Sequence, residues 1–179
     1  MKSLKTLLTA FALFAVATAT NAQENTTITS SATVVADIVI TPVANVNFGS
    51  IQDTGSPVLD PQGTNTADVG GSATFGKFSI AAANSTQLVI DWNQATVTLN
   101  DGGANNMTYT PDVSANSTDA IATSSDVTKN TAGAATETSA GGALFVYIGG
   151  NLGALSSQAS GTYTSANGSG DLVFTINYQ

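Results

Sequence analysis

Short runs of β-branched and aromatic residues constrain the fold of this chain more than any other feature of its sequence. After Ala22, no segment keeps the 3.6-residue apolar period of an amphipathic helix. The apolar runs end instead at Gly, Asn, Asp or Ser, which are the residues that form turns. This pattern predicts an all-β chain of roughly seven to nine strands, arranged as a sandwich or a barrel.

The predicted strands share alternating or continuous apolar residues between two turn signals. They cover residues 32–40, 46–51, 73–80, 87–91, 95–99, 107–110, 143–148 and 172–178. Pro42 should end the first strand or place it at a sheet edge, because proline cannot donate to a ladder. We expect tight turns at residues 100–103 and 149–153. Residues 114–142 predict a long loop that contains one weak edge strand near residues 120–123.

The first 22 residues have the three parts of a secretory signal peptide. Lys2 and Lys5 precede a short apolar stretch at residues 7–16, and small residues lead to Ala22. The apolar stretch is shorter than the roughly 20 residues that span a bilayer. We therefore expect a cleaved signal at residues 1–22, followed by one exported domain at residues 23–179 with no integral membrane segment.

Charge and composition narrow the function of the predicted mature chain. It keeps two lysines, Lys77 and Lys129, against 12 acidic residues, a formal net charge of −10 (2 − 12). Without arginine it lacks the cations that nucleic-acid binding requires. The absence of Cys and His removes thiolate nucleophiles, imidazole bases and the usual zinc ligands. We therefore predict a protein that is not an enzyme and holds no cofactor or metal.

Three motifs have a catalytic or binding alternative. Asp53-Thr54-Gly55-Ser56 matches the aspartic protease signature, but only one copy is present, so a protease would have to be a homodimer. The glycines at residues 149–153 suggest a phosphate-binding loop, yet no helix is predicted after them. Asp and Asn residues are calcium ligands, but the Asp-x-Asp-x-Asp spacing is missing. A turn or a solvated loop is the favoured interpretation of each.

The order of the motifs resembles a known family. The chain resembles the bacterial domain-of-unknown-function family 4402 and is more distantly similar to spore coat protein U and to pilin-like fimbrial domains. The residues that carry the resemblance are 35–40, 46–51, 148–152, 161–164 and 172–178. The resemblance implies an immunoglobulin-like antiparallel β-sandwich that is exported to the cell envelope. It also implies no enzymatic activity and no catalytic residues.

The leading hypothesis for function is a structural or adhesive surface protein, such as a fimbria-like subunit, that self-assembles by strand complementation. In that mechanism an extended segment of one chain adds to a sheet edge of another. The candidate exchanged segment is residues 24–35, in which Ile28, Ala32 and Val34 lie at even spacing. The candidate edge strand alternates its apolar residues, Leu172, Phe174, Ile176 and Tyr178. The alternative is that both strands pair within one monomer.

A second hypothesis is a secreted module that binds carbohydrate or matrix. Trp92 is the only tryptophan, and an exposed indole would stack on a sugar. The loop at residues 53–69 would supply the rest of the surface. The alternative for Trp92 is a core position between the flanking strands, and we favour it.

Overall fold

A computed structural model describes residues 31–32 and 34–179 of the chain. Residues 35–179 form one compact unit that consists of nine strands in antiparallel sheets. Helical residues in the described part are limited to two single 3₁₀ turns, Ile121–Thr123 and Ala134–Thr136. The predicted all-β class is therefore confirmed. The predicted signal peptide and Ile28 lie outside the described residues.

The larger sheet is built around the most hydrophobic run of the chain. Its strands are β1 (Val39–Ala44), β2 (Val58–Leu59), β3 (Gly76–Ala81), β5 (Val97–Asn100), β6 (Asn106–Asn116), β7 (Ser125–Asp126) and β8 (Ala143–Leu152). Five of them pair in the order β1-β3-β8-β6-β5, while β2 pairs with the end of β8 and β7 with the end of β6. Every pair is antiparallel.

The smaller sheet has two strands, β4 (Leu88–Trp92) and β9 (Phe174–Tyr178). They pair antiparallel along their whole length, from Leu88 opposite Tyr178 to Trp92 opposite Phe174. Side chains of β4 and β9 share one buried core with side chains of β3, β6 and β8. The centre of that core is fully enclosed, because Leu88, Ile90 and Leu144 have no exposed surface.

A second apolar cluster combines residues of the strands with residues of the loops. It contains Phe48 and Tyr109, whose rings meet edge to face at 5.7 Å between centroids. The other buried members are Leu59, Val97, Met107, Leu152 and Leu155. Met107 and Tyr109 come from β6, and Leu152 comes from β8, while Phe48 and Leu155 lie in loops, so the cluster ties the long connections to β6 and β8.

The first strand was predicted at residues 32–40, but β1 begins at Val39 and continues through Pro42 to Ala44. Three further local predictions were wrong. Residues 149–153 do not turn, because β8 runs through Leu152 and its glycines allow two neighbours to approach closely. A Cβ on Gly149 would lie 1.9 Å from the Leu59 carbonyl oxygen, and one on Gly150 would lie 2.2 Å from that of Thr110. Residues 46–51 form only a single bridge, Asn47 to Thr74, before Gly49 bends the chain at φ +70°.

The third correction concerns residues 114–142. The predicted weak strand near residues 120–123 is a 3₁₀ turn, and the short strand follows it at Ser125–Asp126. The segment is anchored by its threonines. Thr138 is 3% exposed, and its hydroxyl donates to the Ala83 carbonyl at 2.7 Å. Buried hydroxyls are hard to recognise in a Ser- and Thr-rich sequence, because the same residues also favour solvated loops.

Candidate strand-binding groove

β1 is an edge strand with apolar residues exposed to solvent. All six of its residues are exposed, including Val39, Ile40 and Val43. It pairs with β3 along one side, and no backbone hydrogen bond reaches its other side from any described residue. Pro42 lies inside this strand, and the register shifts between Pro42 and Ala44. Proline is tolerated there because an edge strand need not donate on both sides.

β9 provides a second edge without a partner. Its pairing with β4 uses one side, and among the described residues no ladder forms on the other. Along the candidate edge strand, Ile176 is buried, while Leu172, Phe174 and Tyr178 are half-buried and pack against the core. The intervening Val173 is 57% exposed. The predicted alternation of this segment therefore matches the packing in the structure.

A groove lies between β1 with its following loop and the segment that leads into β9. Its volume is about 1160 Å³. Ile40, Pro42 and Ala44 of β1 line it, and so do residues 45–53, 158–165 and 171–174. Core residues complete the lining, namely Phe78, Val97, Leu99, Met107, Tyr109, Ile148 and Leu152. The cleft thus borders β1 and reaches β9 at its first residue, Phe174.

The groove carries little charge. Its charged lining residues are Lys77, Asp53 and Asp171. Lys77 is already paired, since its ammonium donates to Asp119 at 2.6 Å and lies 5.5 Å from the centre of the Phe145 ring. Asp171 accepts a hydrogen bond from Ser165. An occupant of this groove would therefore be recognised by apolar side chains and backbone groups rather than by charge.

The other two outer edges are covered by loops. At β5, Asn100 and Thr164 exchange backbone hydrogen bonds at 3.0 Å, and the Ser169 N–H donates to Thr98 at 3.0 Å. At β4, the Asn130 N–H donates to the Ile90 carbonyl at 2.9 Å. The molecule therefore covers these two edges with its own chain, whereas β1 and β9 have no strand on their outer side among the described residues.

The residues before β1 include the candidate exchanged segment. Ala32 is exposed, and Val34 is 95% exposed. Ile28 is outside the described residues. The sequence suggested this segment and the edge at β9, but it did not suggest that β1 lines the groove. Pro42 by itself indicates an edge strand, because a proline cannot donate a backbone hydrogen bond to a neighbouring strand.

Trp92 does not offer a stacking surface in this structure. It is 7% exposed and packs against Phe174, with ring centroids 5.9 Å apart. The Lys129 ammonium lies 5.8 Å from its ring centre and pairs with Asp91. Its indole therefore belongs to the core between the strands, which is the interpretation that the sequence favoured.

The loop at residues 53–69 is organised around Asp60 rather than around an open binding surface. Burial would raise the pKa of Asp60, but hydrogen bonds from the Thr64 hydroxyl and from the Gln62 and Asn65 N–H groups hold it below its ordinary value. Asp60 as a residue is 6% exposed, so these donors take the place of solvent. Asp60 therefore fixes the loop conformation.

The protease motif lies at the edge of the same loop. Asp53 is exposed, and Gly55 has φ +108° and forms a bridge to Leu155. Residues 31–179, apart from position 33, contain no group of three Asp or Glu side chains arranged to hold a metal ion. In the same part of the chain, no helix has the length and apolar character to cross a membrane.

No protein-family model matches the chain, and a search of curated proteins found no similar sequence. The resemblance to family 4402 therefore rests on the order of motifs in this sequence.

Proposed function

We propose that the chain is an exported structural or adhesive cell-surface protein, a fimbria-like subunit that assembles by β-strand complementation. The observation that carries this proposal is a groove lined by the unpaired edge strand β1 and by Phe174, the first residue of the second unpaired edge, β9. Exposed edges of this kind are templates for pairing with another chain. The proposed body is an immunoglobulin-like sandwich related to family 4402, and residues 1–22 direct it to the periplasm, the outer surface or the medium.

The proposed occupant of the groove is the segment at residues 24–35 of a second copy. Fully extended, twelve residues reach about 40 Å, while the six residues of β1 cover about 20 Å. The segment is long enough to follow β1 and still leave residues to link the two bodies. Its even-numbered residues Ile28, Ala32 and Val34 would share one face, because side chains alternate along a strand.

Such a strand would make favourable contacts with β1, with β9 and with the core side chains that line the groove. Each backbone hydrogen bond to β1 or β9 contributes about 1 kcal/mol. Burying an Ile or Val side chain contributes roughly 1.5–3 kcal/mol. The groove floor is apolar, so Ile28 and Val34 would replace solvent over the side chains of the core. These contributions support a stable but non-covalent link between subunits.

The test is size-exclusion chromatography with light scattering on the mature chain, with and without residues 23–35. We expect polymers at high concentration for the mature chain and monomers for the shortened one. Ile28→Asp should abolish the polymers, whereas Thr27→Asp, one position along the strand, should retain them. If both the mature chain and the shortened chain remain monomeric at high concentration, strand exchange is wrong.

The cellular part of the proposal is tested separately. Fractionation of the source cells should place the mature chain outside the cytoplasm, and electron microscopy should show fibres that contain it. The carbohydrate-binding alternative predicts a different result, namely binding on a glycan array by the monomer. Since Trp92 is buried, that binding would have to use other side chains.

A further inference from the structure

The missing N–H of Pro42 shows which backbone groups of β1 face its open side. In an antiparallel ladder, pairs of residues that exchange two hydrogen bonds alternate with pairs that exchange none. Pro42 lies opposite Phe78, and a proline has no N–H, so this pair must be of the second kind. The register is unbroken from Val39 to Pro42. Thr41 and Val39 therefore bond to β3, whereas Ile40 does not.

The open side of β1 has a donor at Ile40 and none at Pro42. In a pair without hydrogen bonds, the N–H and C=O of each residue point away from the neighbouring strand. Ile40 therefore presents both an N–H and a C=O on the open side, while Pro42 presents only a C=O. Among the described residues, no backbone group bonds to either of them there. A ladder on this side can use both groups of Ile40 but lacks a donor two residues further along.

The same alternation places the side chain of a partner residue at the groove. Ile40 and Pro42 lie opposite Ile80 and Phe78, which are core residues, and both line the groove. Residues directly opposite each other in a ladder have their side chains on one face of the sheet. In a strand that continues the antiparallel sheet, the residue opposite Ile40 would therefore exchange two hydrogen bonds and also cover the apolar lining.

We infer that Ile40 sets the register of the partner strand through its backbone, and that Pro42 ends the ladder. This inference rests on the proposed function, in which the partner is an extended segment of a second copy. The partner residue opposite Ile40 is apolar, because its side chain meets the groove lining. It is not proline, because its N–H donates to the Ile40 carbonyl. The ladder stops beside Pro42, so β1 binds one short strand and does not pair along its whole edge.

Two substitutions at Ile40 separate backbone recognition from side-chain packing. Ile40→Pro removes the N–H on the open side, while Ile40→Val keeps that N–H and has a side chain close in size to proline. Light scattering on the mature chain should give a polymer-to-monomer ratio about fivefold lower for Ile40→Pro than for Ile40→Val. A fivefold change corresponds to about 1 kcal/mol, which is the contribution of one hydrogen bond.

Pro42→Val should have the opposite effect on assembly. It supplies the missing N–H, so the ladder can continue and the polymer-to-monomer ratio should rise about fivefold. General damage to the fold would not produce a rise, so this variant tests the inference even where other substitutions in β1 unfold the chain. Unchanged assembly of Pro42→Val would show that Pro42 does not end the ladder.

Thr41→Pro is the control for the direction of the backbone groups. The Thr41 N–H faces β3, so its removal should lower the urea midpoint of unfolding at a concentration where the chain is monomeric. Ile40→Pro should unfold at the same midpoint as Ile40→Val, because β3 does not use the Ile40 N–H. An equal loss of stability in Ile40→Pro and Thr41→Pro would mean that the Ile40 N–H faces β3, and the inference would be wrong.

The assembly results separate this inference from the proposed function. If the unmodified chain polymerises and Ile40→Pro polymerises as well as Ile40→Val, the partner strand does not use the backbone of β1. The inference is then wrong, although strand exchange stands. If the unmodified chain never polymerises, both the proposed function and this inference are overturned.

Discussion

The two covered sheet edges and the two bare ones differ in what lies beside them. β5 is covered by residues 164–170, which exchange hydrogen bonds with Thr98 and Asn100. β1 faces solvent with Val39, Ile40 and Val43 exposed. Edge strands are usually protected by charges, short length or a covering segment. Where a chain covers some edges and leaves apolar ones open, the open edges can pair with another chain, and this is the basis of the assembly that we propose.

Exposing the covered β5 edge should have the largest effect on the free energy of unfolding. A Cβ on Gly168 would lie 1.8 Å from the Thr98 carbonyl oxygen, so Gly168→Ala must displace the covering loop. We expect a loss of about 2–3 kcal/mol, measured by urea unfolding. Gly71→Ala is the control, because no atom lies within 4 Å of its Cβ. Equal stability of the two variants would mean that the loop does not pack on β5.

A change in the segment that covers β4 should cause the next largest loss in the free energy of unfolding. Thr138→Val keeps the size of the side chain but removes the hydroxyl that donates to the Ala83 carbonyl and accepts from the Thr86 N–H at 2.9 Å. Both groups would lose a partner at a buried site, at a cost of about 2 kcal/mol. Thermal unfolding should detect this loss, while Thr131→Val on the exposed part of the same segment should change little.

The bare β1 edge should tolerate a charge without loss of stability. Ile40 is 41% exposed and lines the groove, while Val43 is 58% exposed and does not line it. Either residue replaced by Lys should change the free energy of unfolding by less than about 0.5 kcal/mol. Light scattering should distinguish the two variants by their assembly. Ile40→Lys should not assemble because it blocks the groove, whereas Val43→Lys should still assemble because it leaves the groove open. Loss of assembly in both variants would place the contact on the whole strand edge instead.

The sequence predicted the positions of the strands along the chain better than it predicted which segments lie beside each other. Alternation at residues 172–178 and the apolar run at residues 143–148 placed β9 and β8 correctly, because burial on one or both faces leaves a local pattern. The groove is lined by residues far apart in sequence, such as Ile40 and Phe174, and no local pattern records such an arrangement. The glycines at residues 149–150 led to the wrong prediction of a turn, because glycine is favoured both in turns and where two strands approach each other closely.

The smallest effect is expected at the corner where β2 and β7 meet the larger sheet. Burial raises the pKa of Asp112, and the negative charges of Asp126 and Asp60 raise it further. A carboxyl with a raised folded-state pKa stabilises the fold when protonated, so its contribution is present at low pH and disappears as pH rises through that pKa. At a pH above the folded-state pKa of Asp112, Asp112→Asn should therefore be more stable than the unmodified chain. At a pH below the ordinary pKa of a carboxyl, this advantage should disappear. Unfolding by urea across the acidic range measures this difference, with Asp37→Asn on the exposed approach to β1 as the control. A difference between Asp112→Asn and the unmodified chain that stays constant with pH would mean that Asp112 keeps its ordinary pKa, and that β2 and β7 do not bring their carboxylates close enough to act on it.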